Sequence, residues 1–197
     1  MSASETGFTL ARLPPPGRYG ATGDAPVRIT EQACTLVQVF ARKQRAAELA
    51  AALRVTHGLE LPSPGHATTS GEISALWIQP DGWLLTGLRG AEGALAAAMK
   101  STCGDAGSVV DQTHGHAVLR LSGTNAPLVL MKLCRIDLHP RVFGRGCVAA
   151  TPVAELPCLL HQLDAMPSYD LIFPATYASS FVASLTHAAA SVGYEID

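Results

Sequence analysis

The chain has 197 residues, with 14 Lys and Arg against 16 Asp and Glu, and a formal net charge of −2. Its hydrophobic content of 48% excludes a disordered or collagen-like chain, and the near balance of charge excludes a basic body that binds nucleic acid. Charged residues make up only 15% of the chain, below the ~25% of an average soluble domain. We therefore expect either unusually extensive burial within the chain or a partner protein that covers part of its surface.

The five cysteines are widely spaced, and none forms the C-x-x-C pair that is typical of redox or zinc sites. The first 30 residues lack the charged-then-apolar pattern of a secretion signal. No apolar run approaches the ~18 residues that a membrane span requires. These features predict reduced thiols, a cytoplasmic location and no contact with a membrane.

Residues 1–26 are rich in Pro and Gly, which predicts an extended N-terminal arm. Two interpretations of the arm remain open. It is a mobile terminus, as termini are by default, or it lies on a partner through its larger side chains, which are Phe8, Leu10, Leu13 and Tyr19.

Residues 27–197 predict one domain with two halves, roughly 27–105 and 106–197. Alternating and β-branched runs predict strands over 27–30, 34–40, 73–78, 83–86, 108–111, 117–121, 148–151, 157–162, 169–173 and 192–196. Helical spacing predicts helices over 43–55, 92–99, 124–134 and 176–191. In the first helix we expect Ala47, Ala50 and Leu53 on one face and Gly58 as the C-cap.

Turn residues join the predicted strands in pairs. A Pro-Asp-Gly turn links 73–78 to 83–86, and a His-Gly-His turn links 108–111 to 117–121. Strand pairs that are followed by a covering helix predict an α+β fold of two packed mixed-sheet halves, rather than a doubly wound parallel sheet.

No motif for chemistry is complete in this sequence. Gly144 and Gly146 flank Arg145 but lack the third glycine of a G-x-G-x-x-G dinucleotide loop. His114 and His116 provide half of a metal site at most, or a turn with two exposed imidazoles, because no third ligand is evident. Asp170 follows a Pro-Ser-Tyr run, which we interpret as a turn. We predict no catalytic, cofactor-binding or metal-binding residue in this chain.

Two stretches carry a family resemblance. Residues 110–126, VDQTHGHAVLRLSGTNA, resemble the D-x-S-H … V-S-G-x-D-A stretch of the glycine-cleavage T-protein (aminomethyltransferase) superfamily, with Thr113 and Asn125 in place of Ser and Asp. The run DLHPRVF at 137–143 is similar to the gamma subunit family of heterotetrameric sarcosine oxidase. IQPDGWLL at 78–85 and YDLIFP at 169–174 agree with that family in order and spacing, so the resemblance covers roughly 70–197.

The resemblance implies a fold related to the T-protein folate-binding domain. It also implies a non-catalytic gamma subunit that stabilises the large cofactor-bearing subunit of a complex that demethylates sarcosine oxidatively to glycine. The implied partners are the alpha, beta and delta subunits, with alpha in contact, and FAD, FMN, NAD and tetrahydrofolate are carried by subunits other than this chain. Active T-proteins have a carboxylate on a glycine-rich strand, but the matching residues 146–154 contain no acidic side chain before Glu155.

We expect the interface along the arm and around the turn 137–143. The candidate interface residues are Asp137, Leu138, His139, Pro140, Arg141, Phe143 and Tyr19. Two alternatives stay open. One is a free-standing folate-dependent one-carbon protein of the aminomethyltransferase type. The other is a module that binds an organic anion through His139, Arg141 and Arg145.

Overall fold

The computed structural model describes residues 11–197, so Phe8 and Leu10 of the predicted arm lie outside the described residues. The strands are, in chain order, β1 (Gly17–Tyr19), β2 (Val27–Glu31), β3 (Cys34–Ala41), β4 (Ala67–Ser70), β5 (Ile73–Gln79), β6 (Gly82–Leu88), β7 (Gly107–Asp111), β8 (His116–Ser122), β9 (Val148–Val153), β10 (Leu156–Asp164), β11 (Ser168–Pro174) and β12 (Tyr194–Ile196). The α-helices are α1 (Ala46–His57), α2 (Ala94–Cys103), α3 (Ala126–Leu130) and α4 (Ala178–Ala189). Short 3-10 turns follow α2 and precede α4.

The strands form two sheets. The large sheet has seven strands in the order β1-β12-β2-β8-β11-β10-β9, and the small sheet has five in the order β4-β5-β6-β3-β7. Neighbouring strands are antiparallel throughout, except that β12 runs parallel to β2. The β12–β2 pair brings the end of the chain beside its beginning.

Each sheet is covered by helices on one face and by the other sheet on the opposite face. Leu49 and Leu53 of α1 and Met99 of α2 pack on the small sheet, and Phe181 and Leu185 of α4 pack on the large sheet. Between the sheets lie apolar side chains from both, namely Leu36, Leu76 and Leu84 from the small sheet and Val118, Val148, Leu159 and Ile172 from the large one. The result is a helix–sheet–sheet–helix arrangement, which confirms the predicted α+β class with two packed sheets.

The boundary that the sequence suggested near residue 105 does not separate the two sheets. β2 belongs to the large sheet, where it pairs with β8 and β12, and β7 belongs to the small sheet, where it pairs with β3. The predicted turn at 114–116 therefore joins two sheets rather than the arms of one hairpin. Hydrogen bonds between distant strands decide this assignment, and local sequence patterns do not report them.

Two helices differ from their predicted form. In α1 the buried residues are Leu49 and Leu53, while Ala47 is exposed, because burial at this helix follows the larger side chains. Gly58 ends α1 in the left-handed conformation, as predicted. The helix predicted over 124–134 is only the five residues of α3. The side-chain nitrogen of Asn125 donates to the Ala25 carbonyl (2.8 Å), and no side-chain hydrogen bond caps the helix.

The arm lies on this chain's own large sheet from residue 11 onward. β1 pairs with β12, the Tyr19 ring stacks on Tyr194 with centroids 5.3 Å apart, and the Tyr19 hydroxyl donates to the Pro15 carbonyl (2.7 Å). At Gly20, φ is +76° and a Cβ would lie 2.6 Å from the Ala190 carbonyl oxygen, so only glycine allows this close approach. No helix within residues 11–197 is long and apolar enough to cross a membrane.

Candidate functional site

A long loop covers one end of the large sheet. It runs from 131 to 147, between α3 and β9, without a helix or strand. Loops of this length in a compact domain are uncommon and are usually functional. Leu138 and Phe143 are buried in the core beneath it, and the amides of Val142 and Phe143 both donate to the His139 carbonyl. The Asp137 carboxylate accepts from the His139 amide at 2.9 Å. Buried side chains and hydrogen bonds within the turn therefore both stabilise residues 137–143.

A cleft of about 520 Å³ lies beside this loop, on the helix side of the large sheet. Such a volume is in the range of binding sites. Its apolar wall includes Pro127, Met131, Ile136, Leu138, Pro140, Ala165, Pro167 and Tyr169. Its polar lining residues are Asp137, His139, Arg145 and Gln162.

Gln162 is the most informative of these residues. It lies near the end of β10 with only 4% of its surface exposed. Its side-chain nitrogen donates to the Asp164 carbonyl (3.2 Å), but its Oε1 is buried and accepts no hydrogen bond from residues 11–197. Leaving such a group unpaired costs about 1–3 kcal/mol. A residue that lines the cleft therefore has a buried acceptor that no group of residues 11–197 satisfies.

Exposed apolar side chains surround the cleft. Met131 lines it and is 64% exposed, and Met166, between the lining residues Ala165 and Pro167, is 78% exposed. Leu128 and Val142 are exposed within two positions of other lining residues. We call Leu128, Met131, Val142 and Met166 the apolar rim. Grouped exposure of this kind marks interaction surfaces.

The loop is also basic in a protein of net negative charge. Residues 131–147 contain Lys132, Arg135, Arg141 and Arg145 but a single acidic residue, Asp137. The three arginines are exposed, and no carboxylate within residues 11–197 forms an ion pair with them. The surface around the cleft thus favours an acidic counterpart.

A second polar group lies between the two sheets. The Arg120 guanidinium donates twice to the Asp170 carboxylate, at 2.8 and 2.9 Å, in a bidentate pair. Asp170 lies within β11, which agrees with the predicted strand over 169–173, so the interpretation of a turn here was wrong. His161 and Cys34 line the same cavity of about 250 Å³.

Burial controls the protonation of these neighbours. It lowers the pKa of His161, an effect that the nearby Asp170 carboxylate opposes. Burial, with a further contribution from Asp170, raises the pKa of the Cys34 thiol to about 11. The thiol is therefore protonated at neutral pH and is a poor nucleophile. The cavity holds a satisfied ion pair and a neutral imidazole, so we interpret these side chains as groups that stabilise the fold.

The two neighbouring histidines do not share a strand face. His114 lies in the turn, with its Nε2 at 3.2 Å from Glu92 Oε1, whereas His116 begins β8. Burial lowers the pKa of His116, and its Nδ1 is buried without a partner in the described chain. Across residues 11–197, no three His, Cys, Asp or Glu side chains come together as metal ligands would.

The resemblance to T-proteins places their carboxylate strand at residues 146–154, which include β9. The residues of β9 are Val148, Ala149, Ala150, Thr151, Pro152 and Val153, and none of these side chains exchanges a proton at neutral pH. Glu155 lies beyond β9, in the turn to β10, with a positive φ of 62°. The residues of β9 do not fit the acid–base role that the resemblance implies for this strand.

The structure divides the predicted interface residues into two groups. Asp137, His139, Pro140 and Arg141 are exposed. Leu138 and Phe143 are buried in this chain's own core, although Leu138 also forms part of the cleft wall. Tyr19 is half-buried and stacks on Tyr194. An interface at these residues stays a prediction. Gln162 was missed, although a polar residue at an inward position of the apolar strand LPCLLHQLD was the available signal.

Comparison with known proteins shows the family to which the chain is related. Residues 43–191 match the model of the sarcosine oxidase, gamma subunit family. The chain belongs to this family. It is 44% identical over 124 residues to the sarcosine oxidase subunit gamma of Corynebacterium sp. (strain P-1), an alignment that covers 61% of this chain and 60% of that relative. It is 33% identical over 162 residues to the subunit gamma of Corynebacterium sp. (strain U-96), covering 77% and 78%.

Solved structures agree with this assignment. The chain matches one in heterotetrameric sarcosine oxidase from Corynebacterium sp. U-96, in complex with pyrrole 2-carboxylate, with a TM-score of 0.77 and 30% identity over 88% of both chains. It also matches glycine cleavage system aminomethyltransferase T from Bartonella henselae, with a TM-score of 0.67 and 14% identity, covering 87% of this chain and 48% of the other. The second match confirms the predicted T-protein-like fold.

Proposed function

We propose that this chain is the non-catalytic gamma subunit of a cytoplasmic heterotetrameric sarcosine oxidase, which demethylates sarcosine oxidatively to glycine. The observation that carries the proposal is the match of nearly the whole chain to a chain of such a complex. The five cysteines are all free thiols, which suits the reducing cytoplasm.

Its partners in this proposal are the alpha, beta and delta subunits, and alpha is the one in contact. FAD, FMN, NAD and tetrahydrofolate are carried by those subunits. This chain contributes a docking surface made of the cleft, the apolar rim and the exposed part of the turn 137–143. An apolar face with a basic border suits a permanent partner better than a brief encounter.

We assign no step of the one-carbon chemistry to residues 11–197. β9 contains only apolar and hydroxyl side chains, and the partly buried ion pair of Arg120 and Asp170 is already satisfied. The task that the geometry supports is to bind and hold a larger subunit.

Co-expression tests this function. The tagged chain is expressed with its genomic neighbours, and the mass and visible absorption of the purified material are recorded. We expect a complex of several subunits with flavin absorption, and a colourless product when the chain is expressed alone. A colourless single chain from the co-expression would overturn the proposal.

A second function is favoured by one observation. His139 and Arg145 line the same cleft, whereas Arg141, the third residue of the predicted anion site, is not part of its wall. The cleft of the free chain would then hold an organic anion. Titration with benzoate, whose ring suits the apolar wall, tests this function. Saturable binding that Arg145→Ala abolishes is the expected result, and heat of dilution alone excludes it.

A further inference from the structure

We propose that the cleft receives one segment of the partner subunit, which inserts an aromatic side chain with an N–H or O–H donor and hydrogen-bonds to Gln162 Oε1. Acidic residues flank that side chain and meet Arg141 and Arg145. This inference rests on the proposed function and names the chemistry by which the partner is recognised.

The first step is that Gln162 Oε1 requires a hydrogen-bond donor from outside the described chain. The backbone of Gln162 is held on both sides, because its amide donates to the Cys147 carbonyl (3.0 Å) and its carbonyl accepts from the Gly146 amide (2.7 Å). The side-chain nitrogen is held by the Asp164 carbonyl. The amide is thus fixed at both ends, and Oε1 has almost no accessible surface. A donor of the partner reaches it once side chains that line the cleft change rotamer, as side chains at interfaces commonly do on binding. Only a donor that enters the cleft removes the penalty of leaving it unpaired.

The second step is the class of occupant. A small molecule confined to the cleft would cover its wall and leave Met166 and Val142 exposed outside it. A protein segment covers the cleft and the apolar rim together, which removes more apolar surface from water. The extent of the rim therefore favours a protein over a small ligand.

The third step is the side chain and its flanks. Tryptophan and tyrosine combine an apolar ring with one polar group, and they are the usual anchors at the centre of an interface. The apolar wall suits the ring, and Oε1 suits the polar group. Arg141 and Arg145, which pair with no carboxylate of the described chain, favour acidic residues beside the anchor.

Methionine oxidation tests the position of the partner. The chain has four methionines, of which Met131 and Met166 belong to the rim and Met99 is fully buried. Hydrogen peroxide is applied to the free chain and to the co-expressed complex, and the sulfoxide at each methionine is followed by mass spectrometry. In the complex we expect Met131 and Met166 to oxidise on the order of tenfold more slowly, because oxidation follows exposure. Met99 stays unreactive in both samples and shows that the fold is intact.

Gln162→Met tests the hydrogen bond. This variant removes the unpaired acceptor, so the midpoint of thermal unfolding of the free chain does not fall, but the complex is expected to dissociate about tenfold more readily. Met166→Glu, which adds a charge to the rim, weakens the complex as well. The matched control is Val55→Glu, on α1 and far from the cleft in the layer order, where a residue that is 83% exposed receives the same charge without effect.

The outcomes separate this inference from the proposed function. If the wild-type chain forms no complex, the proposed function fails and the inference fails with it. If the complex forms while Met131 and Met166 react as in the free chain, the function stands and the inference is overturned. A small molecule in the native mass spectrum of the free chain, with both methionines already protected, also overturns it. So does a Gln162→Met chain that is less stable alone but binds its partner normally.

Discussion

His161 and Gln162 are neighbours on β10 and face opposite sides of the large sheet. His161 is aligned across the sheet with Asp170, Arg120 and Thr30, a row of polar residues on the face toward the small sheet. Gln162 is aligned with Tyr169, Leu121 and Ile29, a row that is otherwise apolar or aromatic, on the face toward the cleft.

The two faces therefore treat buried polar groups differently. Toward the small sheet, Arg120 and Asp170 satisfy each other with two hydrogen bonds. Toward the cleft, Gln162 Oε1 has no partner in residues 11–197. A satisfied pair such as that of Arg120 and Asp170 stabilises the fold of the subunit, whereas a buried unsatisfied group such as Gln162 Oε1 indicates a binding surface. The four predictions below test this difference.

The largest effect on the free energy of unfolding is expected at Leu138, which lies beneath the cleft. Leu138→Ala should lower the free energy of unfolding of the free chain by about 2–4 kcal/mol, because Leu138 is packed in this chain's own core. Urea unfolding measures it. Val142→Ala, in the same loop but exposed, should change that energy by less than about 0.5 kcal/mol. Equal effects of the two substitutions would mean that Leu138 is a surface residue and that the loop is not anchored as described.

The second-largest effect on the free energy of unfolding is expected at the ion pair of Arg120 and Asp170 between the sheets. Arg120→Met should cost about 2–3 kcal/mol of unfolding free energy, since it leaves the largely buried Asp170 carboxylate without its partner. The control is Arg28→Met, whose pairing with Glu195 and Asp197 at 3.4 Å is exposed to solvent and is worth about 0–1 kcal/mol. Urea unfolding in low and high salt compares them. A loss no greater than that of the control would remove the distinction between the two faces.

A smaller effect is expected from pH. Burial lowers the pKa of His161, so below about pH 6.5 the unfolded chain binds more protons than the folded chain. Stability therefore declines as the pH falls below that value, and the contribution of His161 is absent above it. Unfolding of the wild type and of His161→Gln at pH 7.5 and 5.5 should show a shallower decline in the variant.

His116 requires a parallel variant, because burial lowers its pKa as well. His116→Gln should also reduce the decline, and the double variant should reduce it further. A wild-type chain that is equally stable at both pH values would show that both imidazoles remain accessible to protons.

The smallest effect on stability is expected at Gln162. Gln162→Met removes both the unpaired acceptor and the bond to Asp164, so the free chain should stay within about 1 kcal/mol of the wild type. Urea unfolding of the free chain measures this. A loss as large as that of Arg120→Met would place Gln162 in the architecture and make the two faces alike.

Much of the fold was predictable because local rules applied. Alternation located the central strands, the Pro-Asp-Gly turn placed the hairpin of β5 and β6, and Gly58 ended α1 as a left-handed cap. Helical spacing also located α4, whose buried side chains include Phe181, Leu185 and Ala188. In each case residues within a few positions of one another decide the outcome.

The candidate site was only partly predictable. The turn 137–143 was identified from its motif, but the motif could not separate Leu138 and Phe143, which are buried, from His139 and Arg141, which are exposed. Gln162 was missed because its significance depends on what surrounds it. An unpaired oxygen exists only once β10 and the loop 131–147 have come together.

Spacing, turn chemistry and short motifs were enough to predict most of the strands, the end of α1 at Gly58, the α+β class and the family resemblance. Which sheet each strand joins became visible in the folded chain, where β2 pairs with β12 and β7 pairs with β3. The folded chain also paired Arg120 with Asp170, 50 residues away, and left Gln162 without a partner. In all these cases the hydrogen-bond partners are far apart in sequence, so packing of the whole chain selects them.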